Sequence, residues 1–219
     1  MEENPAGHPS LKRIYTWADL GAAGLSRRQT VRHRAHRITR GVYATDGEPP
    51  LSIQTQAILG ISGPQAIACG VTALRLAGVE LPRRLCRDTR VWVQVPRRQS
   101  WPQRRGVRLV RSERTDPRVL LSGVPTLALS YCWIQLAGES SVDELVELAD
   151  ALTRRHRPAV TRHQLEQAVK NSPGTRGVVK ARRALEDKGW RIITVTSADL
   201  FQAPTGVVNS TRQALHRHG

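Results

Sequence analysis

The sequence predicts an α+β fold laid out in three successive parts. Three patterns carry this: a capped basic helix that runs straight into a β-prone segment, two alternating strands in the middle, and a lone alternating strand near the carboxyl end. At 219 residues the chain is long enough for one large domain or two small ones with real cores.

The first part spans residues 10–48. "TWADLGAAGLSRRQTVRHRAHRITRGVYAT" predicts a short helix after Thr16, a turn at Gly24 and Leu25, and a second helix opened by Ser26. Ser26 with Gln29 three places on fits a capping box, which marks that helix start. Val31 and Ala35 lie one turn apart and form its inward face. Arg27 and Arg28 sit on the first turn, while Gln29, Arg32, His33, His36 and Arg37 point the other way. "ITRGVYAT" follows, with Gly41 suited to a hairpin and Arg40 beside it. Helix, turn, basic helix and hairpin make a winged helix-turn-helix, which lays one helix in the major groove of DNA and a basic loop on its backbone.

The second part, residues 50–157, carries the alternating strands. Residues 51–79 read as two helices broken at Gly63 and Pro64. "RVWVQVPRR" at 90–98 puts Val91, Val93 and Val95 on one face and Trp92 and Gln94 on the other. "GVRLVRSE" at 106–113 alternates again, so the two strands are expected to be a hairpin or a neighbouring pair. Between them, "RRQSWPQRR" holds four arginines and Trp101. Such a loop touches phosphates or is a solvated hairpin tip, and the sequence leaves both readings open. "SGVPTLALSYCWIQLAG" is apolar enough for a core helix. "SVDELVELADALTRR" is an amphipathic helix with Val142, Leu145, Leu148, Ala149 and Leu152 on its stripe.

The third part, residues 158–219, begins with helices around "TRHQLEQAVKNS" and "GVVKARRALEDKG". A strand from Trp190 to Thr196 and a last helix complete it. One strand with one helix buries too little to be stable alone, so the strand is expected to dock on the middle sheet or to join a second copy.

Charge narrows the function. The formal net charge is +16, and nearly all the basic residues are arginine. A clustered field of that sign draws phosphates, which makes double-stranded DNA the expected partner. No long basic amphipathic helix favours a membrane surface, and the most apolar stretch, 124–138, falls short of the ~20 residues of a span. Cys69, Cys86 and Cys132 are odd in number and lack a C-x-x-C, so neither a disulfide framework nor a zinc ribbon is expected. His33 and His36 have no third ligand in view, so no metal and no cofactor is expected. The opening residues are unlike a signal peptide, and a cytoplasmic location follows as an expectation.

"AGLSRRQTVRHRAHRITRGVY" resembles the winged helix-turn-helix that opens the AbiEi-type antitoxins of type IV toxin–antitoxin systems. "RVWVQVPRR", "RGVRLVRS", "GVPTLAL" and "VDELVELADALTRR" resemble, in order, the α/β antitoxin-like region that follows in actinobacterial members. Gln135 stands where those relatives tend to carry an acid. The resemblance implies an operator-binding regulator with a cognate toxin as a partner, and a homodimer is a further expectation.

"GWRIITVTSADL" resembles the final strand of the very-short-patch-repair endonuclease domain that many such proteins carry. Hydrolysis of that kind needs carboxylates converging on Mg²⁺, and the helix and strands that should bear them are missing before Trp190. Glu186 and Lys188 form an E-x-K, but at a helix end rather than along a strand. The expectation is therefore a catalytically inactive remnant and no catalytic residues. The alternatives are an Mg²⁺-dependent endonuclease with an unrecognised site, or a basic module that meets an acidic protein or RNA.

Overall fold

A computed structural model describes residues 14–16, 36–44, 49–99, 101–154, 157–187, 205–206 and 208. The described residues form eight strands and seven helices. The chain divides into two compact units, Met1–Cys132 and Trp133–Gly219.

The first unit holds two sheets. The smaller has the order β1–β3–β2, from β1 (Ile14–Thr16), β2 (His36–Thr39) and β3 (Val42–Ala44), all antiparallel. β2 and β3 are joined by the tight turn Arg40-Gly41, and Gly41 takes φ 91°, which only glycine adopts without strain. The sequence did not predict β1: three residues are too few for alternation to register. His36 and Arg37, expected to end the basic helix, instead open β2. Pairing with Ala44 and Tyr43 outweighs their helical phase.

The larger sheet has the order β6–β5–β4–β8–β7. α1 (Leu51–Ser62) leads to the two-residue β4 (Ile67–Ala68) and then to α2 (Gly70–Leu76) and the single turn α3 (Arg83–Cys86). The predicted pair of helices is thus interrupted by a strand where one break at Gly63 and Pro64 was expected. β5 (Val91–Val95) and β6 (Val107–Arg111) follow. They are neighbours, as expected, but run parallel, so no hairpin joins them.

β7 (Arg118–Leu121) and β8 (Val124–Leu127) form an antiparallel hairpin around Ser122 and Gly123, whose φ values of 50° and 75° suit a two-residue turn. The run "SGVPTLALSYCWIQLAG" is therefore turn and strand first, and helical only in α4 (Leu129–Ala137). Apolar content alone does not separate a buried strand from a buried helix.

All five residues of β5 are buried, so both faces of the sheet are covered there. Val91, Val93 and Val95 share a core with Ile58, Leu59, Trp101, Val107 and Val124. On the other face, Trp92 is 1% exposed and its backbone amide donates to Thr72 Oγ1 of α2 at 2.8 Å. The alternation read from sequence separates these two layers.

The second unit takes up the end of α4, then α5 (Val142–Leu152), α6 (Arg162–Lys170) and α7 (Val178–Asp187). Ser141 and Glu144 close a capping box on α5, and Thr161 and Gln164 close one on α6. Leu145, Leu148 and Leu152 are fully buried, with Leu165 of α6 and Ala181, Ala184 and Leu185 of α7. Trp133 buries its ring and donates Nε1–H to the Leu145 carbonyl at 3.0 Å. Thr205, Gly206 and Val208 are helical. The expected strand at 190–196 lies outside the described residues.

Candidate nucleic-acid interface

The β2–β3 hairpin presents arginines by a local irregularity. Its register slips between Arg37 and Thr39, which makes Ile38 an extra residue on the β2 side. Strict alternation would put Arg37 with Thr39 on one face and Ile38 with Arg40 on the other. The bulge lets Ile38 pack on the core of the larger sheet and Thr39 become buried, while Arg37 and Arg40 both stay exposed.

The loop 96–106 is not a hairpin tip. It is the crossover between parallel β5 and β6, and it crosses over α1. Trp101 is 8% exposed and donates Nε1–H to the Ile61 carbonyl at 3.2 Å, while Gln99 donates to the Ser62 carbonyl. The aromatic in the basic stretch is therefore a core anchor. Its burial brings Arg104 and Arg105 back to the hairpin.

There the two segments lock together. Thr39 Oγ1 donates to the Arg105 carbonyl at 2.9 Å, and Arg104 donates to the Arg40 carbonyl. The Arg104 guanidinium lies 5.0 Å from the centroid of the Trp101 ring. Burial, then the positive charges of Arg40 and Arg37, push the Arg104 pKa below its ordinary value. Arg104 Nε is buried and has no hydrogen-bond partner among the described residues.

In front of this lock lies a cleft of about 690 Å³ lined by residues 37–40, Thr89, Arg90, Arg105 and Gly106. Arg90 is partly neutralised: its Nε and Nη2 donate to the Asp88 carboxylate at 2.8 and 2.7 Å. Those bonds, led by the one from the Arg90 side chain, bring Asp88 down to about 2, against the opposing effect of burial. Asp88 also accepts from Trp92 Nε1 at 3.0 Å, and the Arg108 guanidinium stacks 3.8 Å from the centroid of the Trp92 ring. No ion pair joins Arg37, Arg40 or Arg105 to a carboxylate among the described residues.

A second cleft, of about 330 Å³, lies at the opposite ends of β5 and β6, where Gln94, Ser112, Glu113, Arg114 and Arg118 meet. It is mixed in charge. Asp116 holds Arg114 through a bidentate pair at 2.9–3.0 Å and raises the Arg114 pKa above its ordinary value.

Of the residues read from sequence as DNA-facing, Arg37 and Arg40 stand together in the arginine cleft, and His36 lies in β2. Arg27, Arg28, Gln29, Arg32 and His33 lie outside the described residues. Arg90 was not singled out from the sequence, because nothing local links it to the hairpin. Arg104 and Arg105 were visible only as members of a basic stretch. Glu186 and Asp187 close α7, so the E-x-K tripeptide begins at a helix end. Among the described residues, no group of three or more His, Cys, Asp or Glu side chains is placed to hold a metal ion. Nor is any helix there long and apolar enough to cross a membrane.

No family model matches this sequence. No curated protein matches it either. Among solved structures, the chain is similar to the crystal structure of the RV2827C protein from Mycobacterium tuberculosis, with a TM-score of 0.51 and 19% sequence identity. The likeness covers 81% of this chain and 73% of that one. At that identity it speaks to the fold alone.

Proposed function

We propose that this protein is a regulator that binds duplex DNA at a preferred site and carries no catalytic activity. The observation that supports this most is the small sheet. Its order, β1–β3–β2, with residues 17–35 of the sequence between β1 and β2, is compatible with a winged helix-turn-helix, and its hairpin exposes Arg37 and Arg40. In this reading the helix expected from Ser26 enters the major groove, where Arg27, Arg28, Gln29, Arg32 and His33 meet base edges. Arg37 and Arg40 hold phosphates. The resemblance to AbiEi-type antitoxins adds an operator as the DNA site and a cognate toxin as a second partner.

DNase I footprinting over the DNA upstream of the protein's own gene tests this. A discrete protected window, with the DNA otherwise intact in Mg²⁺, is the expected result. Uniform weak protection, or cleavage by the protein itself, overturns the proposal. Replacing Arg32 with Ala is expected to weaken binding by about 1–3 kcal/mol and to relax sequence preference, as loss of a base-reading side chain does.

A further inference from the structure

We infer that the arginine cleft between the hairpin and the amino-terminal ends of β5 and β6 is a second seat for the DNA backbone, in which Arg105 and Arg90 of the larger sheet join Arg37 and Arg40 on phosphodiester oxygens. This rests on the duplex-binding reading above and extends its footprint from the hairpin into the α/β region.

Three features of the cleft carry the inference. The first is its composition: four arginines line it, and among the described residues only Arg90 has a carboxylate partner, Asp88. Guanidinium groups gathered on one surface repel one another, and an anion placed between them turns that repulsion into attraction.

The second is construction. The cleft is not two flexible tips that happen to meet. Thr39 and Arg105 are joined by a hydrogen bond of 2.9 Å, Arg104 reaches the Arg40 carbonyl, and Ile38 is sunk in the core. The main chains that carry Arg40 and Arg105 are therefore tied together, so less backbone entropy is lost when their side chains bind one ligand. Arg104, cationic behind the cleft, adds to the field; burial first, and then the charges of Arg40 and Arg37, hold its pKa below the ordinary value.

The third is polarity along the sheet. β5 and β6 are parallel, so the residues before both strands line this cleft and the residues after both strands line the other. Only the first is uniformly basic. The second carries Glu113 beside Arg114 and Arg118, so it offers a polyanion a weaker field.

The test uses the full chain and a labelled duplex from its own upstream region, titrated by fluorescence anisotropy between 50 and 200 mM salt. Arg105→Gln is expected to weaken binding about tenfold at 50 mM salt. Its affinity should then fall about 3.5-fold less than that of the parent over the salt range, the change for one phosphate contact. Arg105→Lys keeps the charge and should restore most of the affinity. Arg118→Gln, at the other end of the strands, should leave affinity and slope unchanged. Discrimination between the upstream duplex and a scrambled one should be the same for Arg105→Gln as for the parent, since a phosphate contact carries no sequence information.

Parent-like affinity and slope in Arg105→Gln, with the parent binding duplex normally, overturn the cleft and leave the DNA reading standing. An equal loss in Arg118→Gln also overturns it, because any surface arginine would then serve. A parent that binds no duplex at all removes the DNA reading, and the backbone seat with it.

Discussion

At the scale of single residues, a few side chains hold positions that chemistry alone explains. Gly70 takes φ +48°, and a Cβ there would drive into the Trp92 ring. Gly70→Ala is expected to destabilise the protein by about 2 kcal/mol or more, read as a lowered denaturation midpoint. Asp88 is a second case. Its folded pKa of about 2 lies below its unfolded value, so its contribution is present above the unfolded pKa and is lost as pH falls from about 4 through 2. Because Arg90 is about half exposed, that contribution is on the order of 1 kcal/mol. The stability difference between the parent and Asp88→Asn should therefore shrink between pH 5 and pH 2, and a constant difference would contradict the assignment. The cysteines divide in the same physical way. Burial pushes Cys132 up to about 12 and Cys69 is also buried, whereas Cys86 is exposed. A thiol reagent should titrate one group quickly in the native protein and all three once it is unfolded.

At the scale of elements, the crossover 96–106 shows where sequence reading succeeds and where it stops. Alternation located β5 and β6 and separated the faces of β5, because period-2 burial is written in Val91, Val93 and Val95. The helix α5 was likewise legible from its apolar stripe, and α6 and α7 were expected as helices. β1, β4 and the β7–β8 hairpin were not. Two- to four-residue strands carry too little periodicity, and Val124 to Leu127 merge into the apolar run of α4. The relative direction of β5 and β6 depends on long-range packing. So does the fate of Trp101, which faces α1 although its stretch of sequence carries four arginines. Trp101→Phe should therefore cost about 1 kcal/mol of stability, from the lost bond to the Ile61 carbonyl and a smaller ring. Duplex affinity should stay within about twofold of the parent. A large loss of affinity with unchanged stability would mean that the indole stacks on nucleic acid after all.

At the scale of the whole molecule, the charge of +16 gains meaning from where it is placed. Arg40 was legible beside the hairpin, and Arg37 as a basic residue of the preceding helix rather than of the strand it occupies. The cleft they complete was not, since Arg90, Arg104 and Arg105 reach it only through sheet order and the path of the crossover. A chain that only carried excess arginine would bind any polyanion, with affinity set by salt. A regulator adds a difference between sequences that salt does not erase. The most direct measurement is fluorescence anisotropy on duplex DNA from the protein's own upstream region against a scrambled duplex of the same length, near physiological salt with Mg²⁺ present. A regulator is expected to prefer the upstream duplex by about tenfold or more, corresponding to roughly 1.4 kcal/mol, with both duplexes intact afterwards. Equal, strongly salt-sensitive binding to both would contradict it.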